Sequence, residues 1–234
     1  MSEPIIVCQS ICKTYGTGES LCHALHGVDL TVYPGELRLL MGPSGSGKTT
    51  LISIIAGILD PTDGSCLVQG IDLNRLSDRE KTHYRGKHIG FVFQAFNLIP
   101  SLSNEENIAI PLLINGHPKQ ESLQKARDLL DELGLKEKIG RFPPELSGGQ
   151  QQRVAIARGI IHDPSLIVCD EPTSFLDHQT GVRIMEILRN IVSQKNATLL
   201  VVTHDPRIVS FADRIDYLED GRITQSKNPV LGEM

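Results

Sequence analysis

The chain has 234 residues and a formal net charge of −5, enough length to bury a large core and suited to one α/β domain with a smaller lobe. The acidic balance argues against nucleic acid as the main partner, because phosphate backbones select a basic excess, and no apolar run reaches the length of a bilayer span. The five cysteines (Cys8, Cys12, Cys22, Cys66 and Cys169) are odd in number and scattered, which reads as reduced, mostly buried thiols in a cytosolic protein rather than a disulfide framework or metal clip.

The first segment, MSEPIIVCQS, carries an acid and a proline and lacks a basic n-region, so it does not read as a secretory signal. Apolar patterning predicts strands at Ile5–Cys12 and Gly27–Val32, forming an antiparallel sheet ahead of the core. Pro34-Gly35 turns the chain into a fully apolar strand, Leu37–Met41, and an apolar helix follows at Leu51–Ala56. Short strands are predicted at Ser65–Gln69 and Ile89–Phe93. From about Ala95 to Glu145 the period becomes helical, clearest at Gln120–Leu133 and punctuated by Asn115-Gly116 and Pro143-Pro144. A helix then runs to about His162, followed by the strand Leu166–Cys169, a helix at about Thr180–Gln194 and the strand Thr198–Thr203. Alternating β and α elements of this kind imply a mainly parallel, doubly covered sheet.

Between the strand Leu37–Met41 and the helix that follows lies Gly42-Pro43-Ser44-Gly45-Ser46-Gly47-Lys48-Thr49-Thr50, which fits the phosphate-loop spacing G-x-x-x-x-G-K-[ST] in the strand–loop–helix context it needs. Glycines let successive backbone N–H groups turn onto phosphates, and the helix dipole favours negative charge there. Lys48 is placed to reach the β- and γ-phosphates, and Thr49 to offer its hydroxyl to Mg²⁺.

About a hundred residues on, Leu146-Ser147-Gly148-Gly149-Gln150 reads as a second phosphate-binding helix start, which a self-sufficient ATPase does not need. The run LIVCDE at Leu166–Glu171 ends a buried strand in two carboxylates. Strand alternation would give them separate tasks: Asp170 in the Mg²⁺ shell, Glu171 polarising the attacking water. His204 follows the strand LLVVT, at the carboxyl edge where open α/β sheets bind ligands. It reads equally as a structural cap of the His204-Asp205-Pro206 turn. Gln94 closes the strand Gly90–Phe93 and could touch Mg²⁺ or the attacking water, although an isolated glutamine carries no signal. Tyr15 could stack on adenine, although an isolated tyrosine is more often a half-buried strand residue.

In this order, these residues resemble the ATP-binding cassette ATPases of ABC transporters over nearly the whole length of the chain. The resemblance implies one cassette over residues 1–234: a core of about 1–94 and 163–234 with a P-loop NTPase sheet and an antiparallel β subdomain, and an inserted helical lobe of about 95–162. It makes Tyr15 the adenine stacker and Gly42–Thr49 the Walker A loop. Gln94 becomes the Q-loop, Leu146–Gln150 the signature, Asp170 and Glu171 the Walker B pair, Ser174–Asp177 the D-loop and His204 the switch histidine. Catalysis then falls to Glu171, His204 and Gln94, and Mg²⁺ binding to Thr49, Gln94 and Asp170. ATP contacts come from the P-loop with Thr50, and from Ser147, Gly148, Gly149, Gln150 and Asp177. The family implies a head-to-tail dimer in which the signature of one copy meets the γ-phosphate held by Lys48 of the other.

Three segments, GFVFQAFNLIPSLSNEENI (Gly90–Ile108), GTGESLCHAL (Gly16–Leu25) and LSGGQQQRVAIAR (Leu146–Arg158), resemble the MacB, LolD and FtsE branch. That branch implies an integral permease with few membrane helices, with room for a periplasmic adaptor reached through it. It also implies a cytoplasmic location on the inner membrane face and work by export, lipoprotein release or mechanotransmission. Polar amino-acid importers carry similar phrases, and cassette ATPases acting on chromosomes form another class, although those usually carry long insertions that this chain lacks. Two residues depart from the family: Phe175, bulkier than the small or polar residue expected in the D-loop, and Gly159, where alanine is usual and where glycine weakens a helix end.

Overall fold

The computed structural model describes residues 3–228. Two sheets carry it. The first is antiparallel, in the order β2 (Cys22–Val32), β1 (Ile6–Tyr15), β4 (Asp63–Val68) and β5 (Ile71–Asp72). The second runs β10 (Arg222–Lys227), β9 (Arg214–Glu219), β3 (Leu37–Met41), β8 (Thr198–Thr203), β7 (Leu166–Asp170) and β6 (Ile89–Val92). All its neighbours pair parallel except the β9–β10 hairpin.

Central strands of a sheet covered on both faces should be apolar throughout, and every residue of β3, β7 and β8 is buried. Of the two charges in that set, Asp170 closes β7 at the site described below, and Arg38 is matched by Asp216 on neighbouring β9 at 2.5 and 2.9 Å, as a buried guanidinium requires. Helix α1 (Lys48–Ile55) fills the space between the two sheets, with Leu51, Ile52, Ile54 and Ile55 in a core shared with β1, β2 and β4. Helix α6 (His178–Lys195) covers the opposite face through Ile184, Met185, Leu188 and Val192.

The middle of the chain builds a third apolar cluster from α3 (Asn104–Ile114), α4 (Lys119–Glu132) and α5 (Gly148–Ile160). Helix α5 joins it to the sheet: Val154 and Ala157 face the helices, whereas Ile156 and Ile160 face the core beneath β7. The expected helical run from Ala95 is shorter at its start. Residues 95–103 form turns, because Phe96 and Asn97 are left-handed (φ 60° and 49°) and Ser103 caps α3 only from there. Helix α5 ends at Ile160, two residues short of the expected boundary.

Three elements go beyond the sequence reading. Helix α2 (Asp78–His88) buries only Lys81 and Tyr84, so it shows almost no apolar stripe. Strands β9 and β10 form a hairpin over Asp220-Gly221. Strand β2 begins at Cys22, so Cys22–Leu25 extends the first hairpin and Gly16–Leu21 forms its connection. Among the described residues no helix is long and apolar enough to cross a membrane.

Candidate nucleotide site

The loop after β3 folds as its glycines demand. Gly42 and Gly47 have φ of 156° and 100°, and a Cβ on either would overlap a carbonyl oxygen, that of Leu218 or of Ala24. Only a residue without a side chain fits such an approach. Gly47 is also the N-cap of α1, with no side chain to satisfy the first helical amides, which leaves them to an anion. Ser46 Oγ is buried beside them without a hydrogen-bond partner.

Lys48 is buried, and its Nζ donates to the Gly42 and Pro43 carbonyls at 2.9 and 2.7 Å. Those bonds brace the loop and leave one of three ammonium donors to face the cleft. Burial lowers the Lys48 pKa, and the charges of Glu171 and Asp170 oppose that shift. Thr49 Oγ1 lies 3.2 Å from both Asp170 carboxylate oxygens. Burial raises the Asp170 pKa, the Thr49 bond lowers it, Glu171 raises it and Lys48 lowers it, for a net rise. This carboxylate has more to gain from a cation than it receives from the protein alone. The oxygen donors, a hydroxyl and a carboxylate, suit Mg²⁺, which takes few protein ligands and completes its shell with water and phosphate oxygens. Among the described residues no group of three or more His, Cys, Asp or Glu side chains could hold a metal ion.

Strand alternation does not separate the carboxylate pair as expected. Strand β7 stops at Asp170, and Glu171 turns out of it with a left-handed φ of 49°. That is a strained conformation for a residue with a side chain. Its amide is still held by the Val202 carbonyl at 2.9 Å, and its carboxylate is gripped from both sides. Glu171 Oε1 is 2.7 Å from His204 Nδ1, and Oε2 accepts from Ser174 Oγ at 2.8 Å. Glu171 is buried, whereas the His204 side chain is 63% exposed.

Lys48, Thr49, Thr50, Gln94, Glu171 and His204 line a single cleft of about 480 Å³ with Pro43, Ser44, Gly45, Gly47 and Ala24. Tyr15 stands at its edge, with its hydroxyl 3.4 Å from Thr50 Oγ1 and its ring 40% exposed. Sequence reasoning missed Ala24, a small β2 residue whose carbonyl fixes Gly47 and which no motif marks. It also gave no role to Arg158, whose guanidinium donates to the Phe96 and Asn97 carbonyls at 2.8 and 2.5 Å just past Gln94.

The chain does not bring the signature into this cleft. Ser147 is the N-cap of α5, joined to Gln150 in a capping box, with Ser147 Oγ accepting from the Gln150 amide at 3.4 Å and Gln150 Oε1 from the Ser147 amide at 3.0 Å. Gly148 and Gly149 open the helix behind it. Asp177 caps α6, accepting from the Thr180 amide at 3.0 Å and the Thr180 hydroxyl at 2.6 Å. None of these five residues lines the cleft.

Comparison with known proteins places this arrangement. The sequence profile described as "ABC transporter" matches residues 25–174. The lipoprotein-releasing system ATP-binding protein LolD of Hyphomonas neptunium is 43% identical over 95% of the chain and 98% of its own length. The bacitracin export ATP-binding protein BceA of Halalkalibacterium halodurans is 39% identical over 94% of the chain and 87% of its own length. The solved dimeric ATP-binding cassette MJ0796, in a post-hydrolysis state with ADP and Pi, superposes with a TM-score of 0.90 at 39% identity, covering 98% of the chain and 100% of that structure. A relative of that same name from Methanocaldococcus jannaschii is 41% identical over 95% of the chain and 97% of its own length.

Proposed function

Since the chain belongs to the ABC transporter family, as an ATP-binding and ATP-hydrolysing subunit, we propose that it works as a head-to-tail dimer closing on two nucleotides to move a membrane permease. The carrying observation is the division of its phosphate-binding parts. Lys48, Thr49 and Glu171 line one cleft, with Asp170 held against Thr49 behind it, while the signature amides of Gly148 and Gly149 open elsewhere, at another helix start. Each is half a site, completed by a second copy. MJ0796 was solved as a dimer at this level of similarity, which supports the reading.

In it, Lys48 and the loop amides neutralise the β- and γ-phosphates. Thr49 and Asp170, with Gln94 at the edge, would hold Mg²⁺, which would supply charge neutralisation to the phosphoryl oxygens. Tyr15 lies under adenine. Glu171 accepts a proton from the attacking water, while His204 and Ser174 hold its carboxylate in place. Gln150 and Asp177 keep the signature and D-loop helices capped where the partner's nucleotide meets them. The core of about 1–94 and 163–234 and the lobe of about 95–162 are then two bodies hinged through α5, a division supported by their separate apolar clusters.

The permease has a suitable seat. An apolar groove of about 480 Å³ between α1, α2, β6 and α3 is lined by Ile58, Phe91, Phe93, Ile110 and Ile114, with Ile114 70% exposed. Phe93 ends beside Gln94, so a permease segment seated there reaches the cleft. That seat would hold the chain on the cytoplasmic membrane face, beside a permease with few membrane helices. LolD and BceA are named for lipoprotein release and bacitracin export, and we assign this chain to the same mechanical class.

Titration with ATP and Mg²⁺ tests the site. Lys48→Ala removes a charge-assisted phosphate partner and should weaken ATP binding by about tenfold or more. Unchanged affinity would overturn the phosphate-loop assignment.

A further inference from the structure

We propose that Phe96 and Phe175 are positioning residues for hydrolysis, an aromatic brace that locks the Gln94 turn to the Glu171 turn beneath the start of the signature helix. The proposal rests on the ATPase reading of the cleft.

Two consecutive left-handed residues, Phe96 and Asn97, follow Gln94 by two and three positions. Such a pair is costly without glycine and persists only where its surroundings over-determine it. Here the surroundings are specific. Arg158 of α5 donates one nitrogen to the Phe96 carbonyl and another to the Asn97 carbonyl, at 2.8 and 2.5 Å. The conformation aims the Phe96 ring at Phe175, which it meets edge to face, centroids 6.3 Å apart and planes at 70°.

Phe175 sits in the Glu171 turn. Ser174, its neighbour, donates to Glu171 Oε2 at 2.8 Å, and Thr173 donates to Asp205 at 3.1 Å. The signature helix closes over the pair. A Cβ built on Gly148 would lie 3.8 Å from the Phe175 carbonyl oxygen and 3.9 Å from Phe96 Cζ. One aromatic contact therefore joins the turn carrying Gln94 to the turn carrying Glu171, beside the start of the signature helix.

Phe175 remains 63% exposed, so burial gains it little. An exposed ring held in an oriented contact contributes through that orientation. This accounts for a bulky residue where the family pattern expects a small or polar one.

The test uses the full-length protein, with ATP turnover and ATP affinity measured separately. Phe175→Ala should lower kcat about three- to tenfold, the range an oriented aromatic pair supports, with ATP affinity and thermal unfolding essentially unchanged. Phe175→Tyr keeps the ring and should restore kcat. Phe96→Leu should match Phe175→Ala, and the double variant should be no slower than either single one, since both break one contact. Should Phe96→Leu fail to fold, the Phe175 pair alone decides. Wild-type kcat in Phe175→Ala, or a Tyr variant as slow as the Ala variant, overturns the proposal. So does a Phe175→Ala change that abolishes ATP-driven dimerisation in a Glu171→Gln background, because Phe175 would then act at the interface. A wild-type protein that turns over no ATP would instead sink the reading on which the proposal rests.

Discussion

Glu171 Oε1 and His204 Nδ1 lie 2.7 Å apart, across the ends of two neighbouring strands. A carboxylate held this way by an exposed imidazole, and by Ser174 on its other oxygen, is oriented before substrate arrives. Pre-set orientation is what a proton acceptor needs.

Glu171→Gln keeps the shape of this side chain and removes its basicity. Lys48, Thr49 and Asp170 are untouched, so ATP binding should survive while turnover falls on the order of a hundredfold or more. The variant should accumulate as a dimer in ATP, visible by size-exclusion chromatography. Near wild-type turnover would remove Glu171 from its role.

Asp170 carries a stability signature of its own. Its pKa is raised, chiefly by burial. A group whose folded pKa exceeds its unfolded value of about 3.9 stabilises fully below that value and loses the contribution as pH rises through the folded pKa. At pH 7 the ionised side chain therefore strains the nucleotide-free fold. Asp170→Asn should raise the melting temperature there, by roughly 2–4 °C, while abolishing Mg²⁺-dependent turnover. A lower melting temperature would contradict this account.

How much of this was legible in the sequence depended on whether a signal was local. Lys48, Thr49, Asp170 and Glu171 follow from spacing and strand context; the cleft gathers Lys48, Thr49 and Glu171, and Thr49 reaches Asp170. Helix α2 escaped because its only buried residues are Lys81 and Tyr84, although the Ser77/Glu80 capping box at its start was there to be seen. Asp220-Gly221 likewise offered a hairpin turn, but β10 is mostly exposed and shows no apolar run. The left-handed turn at Glu171 and the Arg158 hold on Phe96 arise from packing between distant segments, which no local pattern encodes.

Asp213 predicts acid sensitivity. It accepts from the Leu37 amide at 2.7 Å and from Arg189 at 2.6 and 2.9 Å, tying the start of β3 to α6. Burial would raise its pKa, but the Arg189 and Leu37 hydrogen bonds outweigh that and lower it. A depressed folded pKa contributes stability above the unfolded value of about 3.9, lost as pH falls through the folded one. Asp213→Asn should therefore melt lower than wild type at pH 7 by roughly 2–4 °C, and the gap should close below about pH 4. Parallel melting curves at all pH values would show that this carboxylate is not the linked group.

Composite sites make the sharpest prediction. Ser147 caps α5 away from the cleft that holds Lys48, so Ser147→Arg should leave the nucleotide on its own Lys48 undisturbed while a bulky cation fills the space of the partner's γ-phosphate. Closure should fail and turnover with it. Lys48→Ala should fail by losing the phosphates themselves. Each homodimer then has two dead sites. In a mixed dimer both lesions fall on one composite site, the altered Lys48 of one copy facing the altered Ser147 of the other, and the second site is intact. Mixing the two inactive proteins should restore turnover, up to about a quarter of the wild-type rate if half the dimers are mixed and one intact site works alone. If closure needs both nucleotides, ATP-dependent dimerisation measured beside turnover will show it as mixed dimers that fail to form. A Ser147→Arg protein that stays monomeric yet hydrolyses ATP at the normal rate would refute the shared site altogether.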